Sequence, residues 1–403
     1  MPASIPAPTP EYDPFDRLVA HNPFPVYRRL RDEAPVYHNT KHGFWALSRY
    51  DDVVAAHLAP GIYSSAEGVT LEGQDRGLPF LILKDPPEHT YHRKVAMRMF
   101  TPRRVNRLEA FVRETAVRLL DNVAGRDSFD VVGAFAIRLP LDVISELIGI
   151  PPELREQVHR LSDRIAHRDA DGTVSEDAVN AHIELIALLT ELVAARRRDP
   201  GDDVMSLLMT TGVEEPDGST RMLGDEELAL RFMELAFAGH ETVARLIPNG
   251  VVALHWYPDQ RRELVADPGL IPGAVEEILR WDPPSHFQGR WTTQDVHLHG
   301  TVIPKDSRVI LLTGSAGHDE RKYPDPEVFD IHRDIDRHVA FGFGRHLCLG
   351  APLARLEVRV AFEELLRRYP DFDIDESGIT RMYNSNVRGL SGLPLVVTGP
   401  GKR

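Results

Sequence analysis

Apolar residues recur every three to four positions through residues 102 to about 123, 179–198, 225–255, 273–281 and 351–369, the spacing that gathers them on one face of a helix. A chain with that many amphipathic stretches has to bury helix against helix. Within 179–198 the stripe runs through Ile183, Leu185, Ile186, Leu188, Leu189 and Leu192. Strand signals are fewer and clustered: residues 43–47 (GFWAL) give one, and residues 290–312 give several, among them 296–299 and 309–312. Length alone allows two or three domains, but the breaks at 199–203 (DPGDD) and 213–218 (VEEPDG) are short and turn-like, as connections inside one body are. These signals predict a mainly α protein with small β sheets, one domain over residues 11–403 behind a flexible Pro-rich tail at residues 1–10.

Charge narrows the partners. The 403 residues include 61 Asp and Glu against 47 Lys and Arg, a formal charge of −14, whereas a polyphosphate ligand calls for a basic face. Nucleic acid is therefore not an expected partner. The first ten residues, MPASIPAPTP, carry neither a basic start nor an apolar stretch and do not read as a secretory leader; a cytoplasmic protein with no membrane partner is expected. A single cysteine, Cys348, rules out an internal disulfide, a multi-cysteine zinc site and an iron–sulfur cluster. Among the histidines, His297 and His299 share a strand face, but no third ligand stands at a zinc spacing.

Cys348 lies in residues 341–350, FGFGRHLCLG, which hold three glycines and run straight into the helical pattern from Ala351. Glycine permits tight turns and close approach of another group. A cysteine just ahead of a helix meets unpaired N–H groups and the positive end of the dipole, both of which favour thiolate. Three uses are open to it: an inert buried thiol, a nucleophile paired with His346, or the single axial ligand of a heme iron, which needs only one cysteine because the porphyrin supplies the in-plane donors.

Continued through residues 351–357 (APLARLE), this segment resembles the heme-binding signature of the cytochrome P450 family. The resemblance runs in order through residues 85–93 (DPPEHTYHR), 238–242 (AGHET), 277–280 (EILR), 329–333 (FDIHR) and 341–350, and spans residues 11 to 395. It implies the cytochrome P450 fold, mainly α with small β sheets, in which heme b (iron protoporphyrin IX) lies between a long acid–alcohol helix and the cysteine loop. Cys348 is then the iron's axial ligand, loop amides including Gly350 surround the sulfur, and His89, Arg93, Arg290 and His346 hold the propionates. A polar triplet inside a buried helix needs a reason; matched to the family, Ala238 and Gly239 leave room for dioxygen, and Glu241 and Thr242 are the acid–alcohol pair that relays protons. Thr242 can instead bond back to a carbonyl of the preceding turn. Pro248, inside the same helical pattern, predicts a kink. Glu277 and Arg280 read on spacing alone as a surface ion pair; the resemblance makes them, with Arg333, a structural element.

The implied activity is a monooxygenase that places one atom of dioxygen in a small to medium apolar substrate and the other in water. Its electrons come from a separate ferredoxin-like or flavin donor with its reductase, docked on a basic patch drawn from His92, Lys94, Arg98, Arg103, Arg104 and Arg345. The implied pocket walls are Phe80, Ile82, Phe237, Ala238, Val243, Phe287 and Val387, while His286, Gln288, Asn384 and Asn386 either read a polar group or satisfy loop backbone. A Cys348–His346 hydrolase or acyltransferase, and a non-catalytic heme carrier or sensor, are the alternatives.

Overall fold

The computed structural model describes residues 10–72, 77–166, 175–215 and 217–398, without the side chain of Ala166; the first nine residues of the expected tail lie outside them. The longest element is the helix Asp225–Trp256, whose first turn carries Asp225, Glu226 and Glu227 and whose last carries His255, charges that suit the two ends of its dipole. It packs against the helices Arg138–Ile148, Glu176–Arg198, Ile271–Trp281 and Ala351–Arg368. Leu139, Phe232, Leu254 and Phe362 belong to the main core that these helices share.

Local chemistry sets several boundaries. The Ser175 hydroxyl accepts from Ala178 N–H to start Glu176–Arg198, which ends on three arginines, and Gly149 closes Arg138–Ile148 in the left-handed region at φ 96°. By length and composition Glu176–Arg198 is also able to cross a membrane, but Leu185, Leu189 and Val193 are buried against the protein's own core. The expected helix from 102 is two, Pro102–Arg107 and Glu109–Asp121. The break at 213–218 contains one strand of a small hairpin, Val213–Glu214 paired with Thr220–Arg221. Pro248 does not break the long helix. It is buried there, Asn249 Nδ2 donates to Asp282 O at 3.0 Å, and Gly250 lies against Phe362 and Ile278, so tertiary contacts outweigh the ring's penalty.

The largest sheet has five strands in the spatial order Val36–Asn39, Phe44–Leu47, Arg308–Leu311, Gln288–Thr292 and Tyr63–Ser64. Only Phe44–Leu47 and Arg308–Leu311 run parallel; the other pairs are antiparallel. Strand Gln288–Thr292 brings Arg290 into the site from this sheet.

Candidate active site

The cysteine loop is built from two left-handed turns, Gly342 at φ 69° and Gly344 at φ 64°. At Gly344 a β-carbon would also come within 3.0 Å of His57 O, so the loop lies directly on the end of helix Tyr50–Leu58. Cys348 N–H donates to Phe341 O at 2.9 Å and closes the loop. Cys348 as a residue keeps solvent access, yet its thiol has protein packed around it. Burial pushes the thiol pKa up, and the N–H groups of Gly350 and Ala351 with the Arg93 and Arg355 guanidiniums only partly pull it back. The loop's N–H groups favour thiolate, as the sequence expects, but desolvation outweighs them. A metal cation bound at the sulfur would hold the thiolate.

Beside the loop stands a cluster of unsatisfied polar groups. His89 and His346 face each other at 4.1 Å between ring centroids, and Arg93 Nη2 donates to Leu347 O at 2.5 Å. Among the described residues neither nitrogen of His89 has a hydrogen-bond partner, although both are buried, and buried His57 has only Gln288 beside it. Burial drops His57 to about 3, helped by the Arg290 charge, and drops His89 to about 4, helped by Arg93 and Arg345. The same cause takes His346 to about 2, with Arg290, His89 and Arg93 adding to it. Arg290 itself falls to about 10 through burial. Neutral, buried imidazoles beside two guanidiniums suit a carboxylate-bearing group lying against the cysteine loop. They fit the propionates of a heme.

On the long helix, Ala238 is exposed although Ala236, His240 and Val243 around it are buried. The Thr242 hydroxyl donates to Ala238 O at 3.2 Å, which is the back-bond that the sequence left open. Glu241 Oε1 lies 3.9 Å from Arg245 Nη2. Gly239 has a packing role that the sequence did not show: a β-carbon there would meet Ile144 Cδ1 at 2.9 Å, so this glycine lets two helices approach.

Glu277, Arg280 and Arg333 meet in the interior. Arg280 Nε and Nη2 each donate to Glu277 at 2.6 Å, Arg333 Nε reaches Glu277 Oε1 at 3.3 Å, and Asp330 N–H adds a further bond at 2.9 Å. With Glu277 and Arg280 both fully buried at their side chains, the surface ion-pair reading of their spacing is wrong.

The expected pocket walls separate. Ile82 is exposed, Phe80 and Val387 are half-buried, and Phe237 stacks on His182 at 5.2 Å. Val243 is buried in the main core. Phe287 is fully buried in a different cluster with Tyr12, Tyr27 and Phe44, because alternation at the strand entry sends it opposite to Gln288. Asn384 and Asn386 satisfy backbone: Asn384 Oδ1 accepts from the N–H groups of Asn386 and Val387, and Asn386 Oδ1 accepts from Phe287 N–H.

The basic patch thins in the same way. His92 is buried and receives Arg231, and Lys94 pairs with Glu214 at 3.1 Å; Arg98, Arg103 and Arg345 are exposed. His299 pairs with Asp52 at 2.8 Å, and no cluster of potential metal ligands occurs among the described residues. His346 turns Nε2 to the Ser65 hydroxyl at 3.4 Å, and among the described residues no hydrogen bond joins it to Cys348, so a Cys–His dyad is not assembled.

Sequence reasoning missed His57, which sits in a helix without a motif. It also missed Arg355, whose guanidinium lies 4.7 Å over the Phe341 ring and bonds Glu276 at 2.7 and 2.8 Å. The helical offset from Cys348 to Arg355 was the available signal.

A family model described as Cytochrome P450 matches residues 269–392. A protein named putative cytochrome P450 123 from Mycobacterium tuberculosis is 39% identical over 393 residues, 96% of each chain. Vitamin D(3) 25-hydroxylase of Pseudonocardia autotrophica is 38% identical over 402 residues, 97% of this chain and 98% of its own. Among solved structures, cytochrome P450 CYP109Q5 from Chondromyces apiculatus aligns with a TM-score of 0.88 at 32% identity, over 98% of this chain and 100% of that one. CYP109E1 from Bacillus megaterium in complex with corticosterone gives 0.86 at 30% identity, over 94% and 100%.

Proposed function

This chain belongs to the cytochrome P450 family and is a monooxygenase of that family, and we propose that it inserts one oxygen atom into a small to medium apolar molecule with electrons from a separate ferredoxin-like or flavin donor and its reductase. We place it in the cytoplasm. The family's cofactor is a heme, here proposed to be heme b. The observation that carries the reading is the buried His89 imidazole beside the Cys348 loop, partnerless among the described residues, with the Arg93 and Arg290 guanidiniums near it.

In this reading Cys348 Sγ would hold the heme iron, steadied by Gly350 and Ala351 N–H. His89, Arg93, Arg290 and His346 would hold the propionates, and His57 would close the cluster beneath the glycine turns. The bound heme supplies dioxygen activation and takes up the electrons. Ala238, small and exposed, leaves its space to the reacting molecules. Thr242 Oγ1, donating to Ala238 O, still has lone pairs to accept a proton from water; to pass one on it has to release that carbonyl, a bond worth roughly 1 kcal/mol. Glu241, next to Thr242 on the helix, is the other member of the pair that relays protons. Glu277, Arg280 and Arg333 act as structure and touch no reactant.

Relatives named for vitamin D(3) hydroxylation and solved with corticosterone support an apolar substrate. The test is the carbon monoxide complex of the reduced, heme-loaded protein. A thiolate-type Soret band is expected, lost in Cys348→Ala; well-folded wild type without it would sink the proposal. A titration with apolar compounds, read as loss of iron-bound water, then identifies the substrate class.

A further inference from the structure

The turn Leu81–Leu83 is fastened to the long helix by a chain of side chains that neither the family motifs nor the proposed chemistry uses. Ile82 N–H donates to Glu234 Oε1 at 3.2 Å. The other oxygen of the same carboxylate takes Arg231 Nη1 at 3.0 Å, and Arg231 Nη2 donates to His92 Nδ1 at 3.2 Å. Arg231 is 6% exposed, and burial followed by the Arg231 charge lowers the His92 pKa, which favours the neutral imidazole that accepts at Nδ1. The clamp thus joins the turn, the long helix and the helix Glu88–Ala96.

Its position on the long helix gives it a consequence. Glu234, Ala238 and Thr242 follow at intervals of four, one above another on the same face. In the fastened turn Leu81 and Leu83 are each 6% exposed, whereas Ile82 is 43% exposed. An apolar side chain is therefore held out of the core on a turn fastened to the long helix four residues before the exposed Ala238. We propose that Glu234 is a positioning residue that, braced by Arg231 and His92, sets the height of Ile82 above Ala238 and so limits the size of the molecule admitted there. This inference rests on the reading of Ala238 as the substrate side.

The test uses the full heme-loaded chain as wild type, Glu234→Ala and Glu234→Gln, with imidazole and 4-phenylimidazole as iron-ligating probes titrated by Soret shift. In Glu234→Ala the ratio of the two dissociation constants is expected to move about tenfold towards the larger probe, with Ile82 amide exchange accelerated by a similar factor, as loss of one charge-assisted bond implies. Glu234→Gln keeps an acceptor for Ile82 N–H and should move the ratio by about threefold; it decides the matter if the alanine variant does not fold. A ratio within about twofold of wild type in a variant that keeps the thiolate-type carbon monoxide band would overturn the inference and leave the function standing. Wild type lacking that band would overturn both.

Discussion

Arg280 and Arg290 are almost equally buried, at 1% and 3% exposure, and their surroundings are opposite. Arg280 donates twice to Glu277 and to the carbonyls of Gly317, Pro326 and Val328. Arg290, among the described residues, donates only to its neighbour's carbonyl, Gly289 O, at 2.6 Å, and burial drags its pKa down to about 10. Burying a cation costs several kcal/mol unless charge and hydrogen bonds answer it. Around Arg280 the polypeptide supplies the whole answer, so that region is architecture. Around Arg290, His57 and His89, among the described residues, Asp85 and Gln288 answer only in part, and such a region suits a bound anion.

The contrast breaks first at Glu277. Glu277→Ala leaves Arg280 buried without its carboxylate and should cost about 3–5 kcal/mol in urea unfolding; a loss below about 1 kcal/mol would erase the distinction. Arg290→Met should do the reverse, leaving the heme-free protein at least as stable while heme affinity, measured by titration, falls about ten- to a hundredfold. Acid gives a smaller effect. With His89 at about 4 in the folded chain against an ordinary 6.5, the unfolded chain takes its proton first, so this stabilisation is complete above about pH 6.5 and fades towards about pH 4. The melting temperature of the heme-free protein should fall through that window, and heme should flatten the fall because a propionate supports the charged imidazole. Smallest is Thr242→Ala, expected to change stability by under about 0.5 kcal/mol while the yield of product per electron drops. Unchanged coupling would remove Thr242 from the proton path.

How much could be read beforehand follows from how local each signal is. The glycines around Cys348 and the Glu277–Arg280 spacing are written in consecutive residues, and the large helices follow from apolar periodicity. Arg333 was reachable only through resemblance, since nothing in a sequence says which distant guanidinium closes a carboxylate. His57 and the Arg231–Glu234 clamp were invisible for the same reason: contacts across the fold leave no spacing. Gly239 shows a different limit, because a small residue gives one signal for an open gap and for two helices in close contact. Phe287, one residue ahead of the strand Gln288–Thr292, turned on which face an extended residue takes, which periodicity cannot settle at the end of so short a strand.

The parallel pairing of Phe44–Leu47 with Arg308–Leu311 has a consequence for synthesis. A ribosome makes the first of these strands long before the second, and until then the hairpin with Val36–Asn39 shows an unpaired edge that invites other chains. Such pairings between opposite ends of a chain also close slowly. Nascent or prematurely terminated chains should therefore be the form of this protein most in need of a chaperone, and the finished sheet should be among the last parts to resist a protease during refolding.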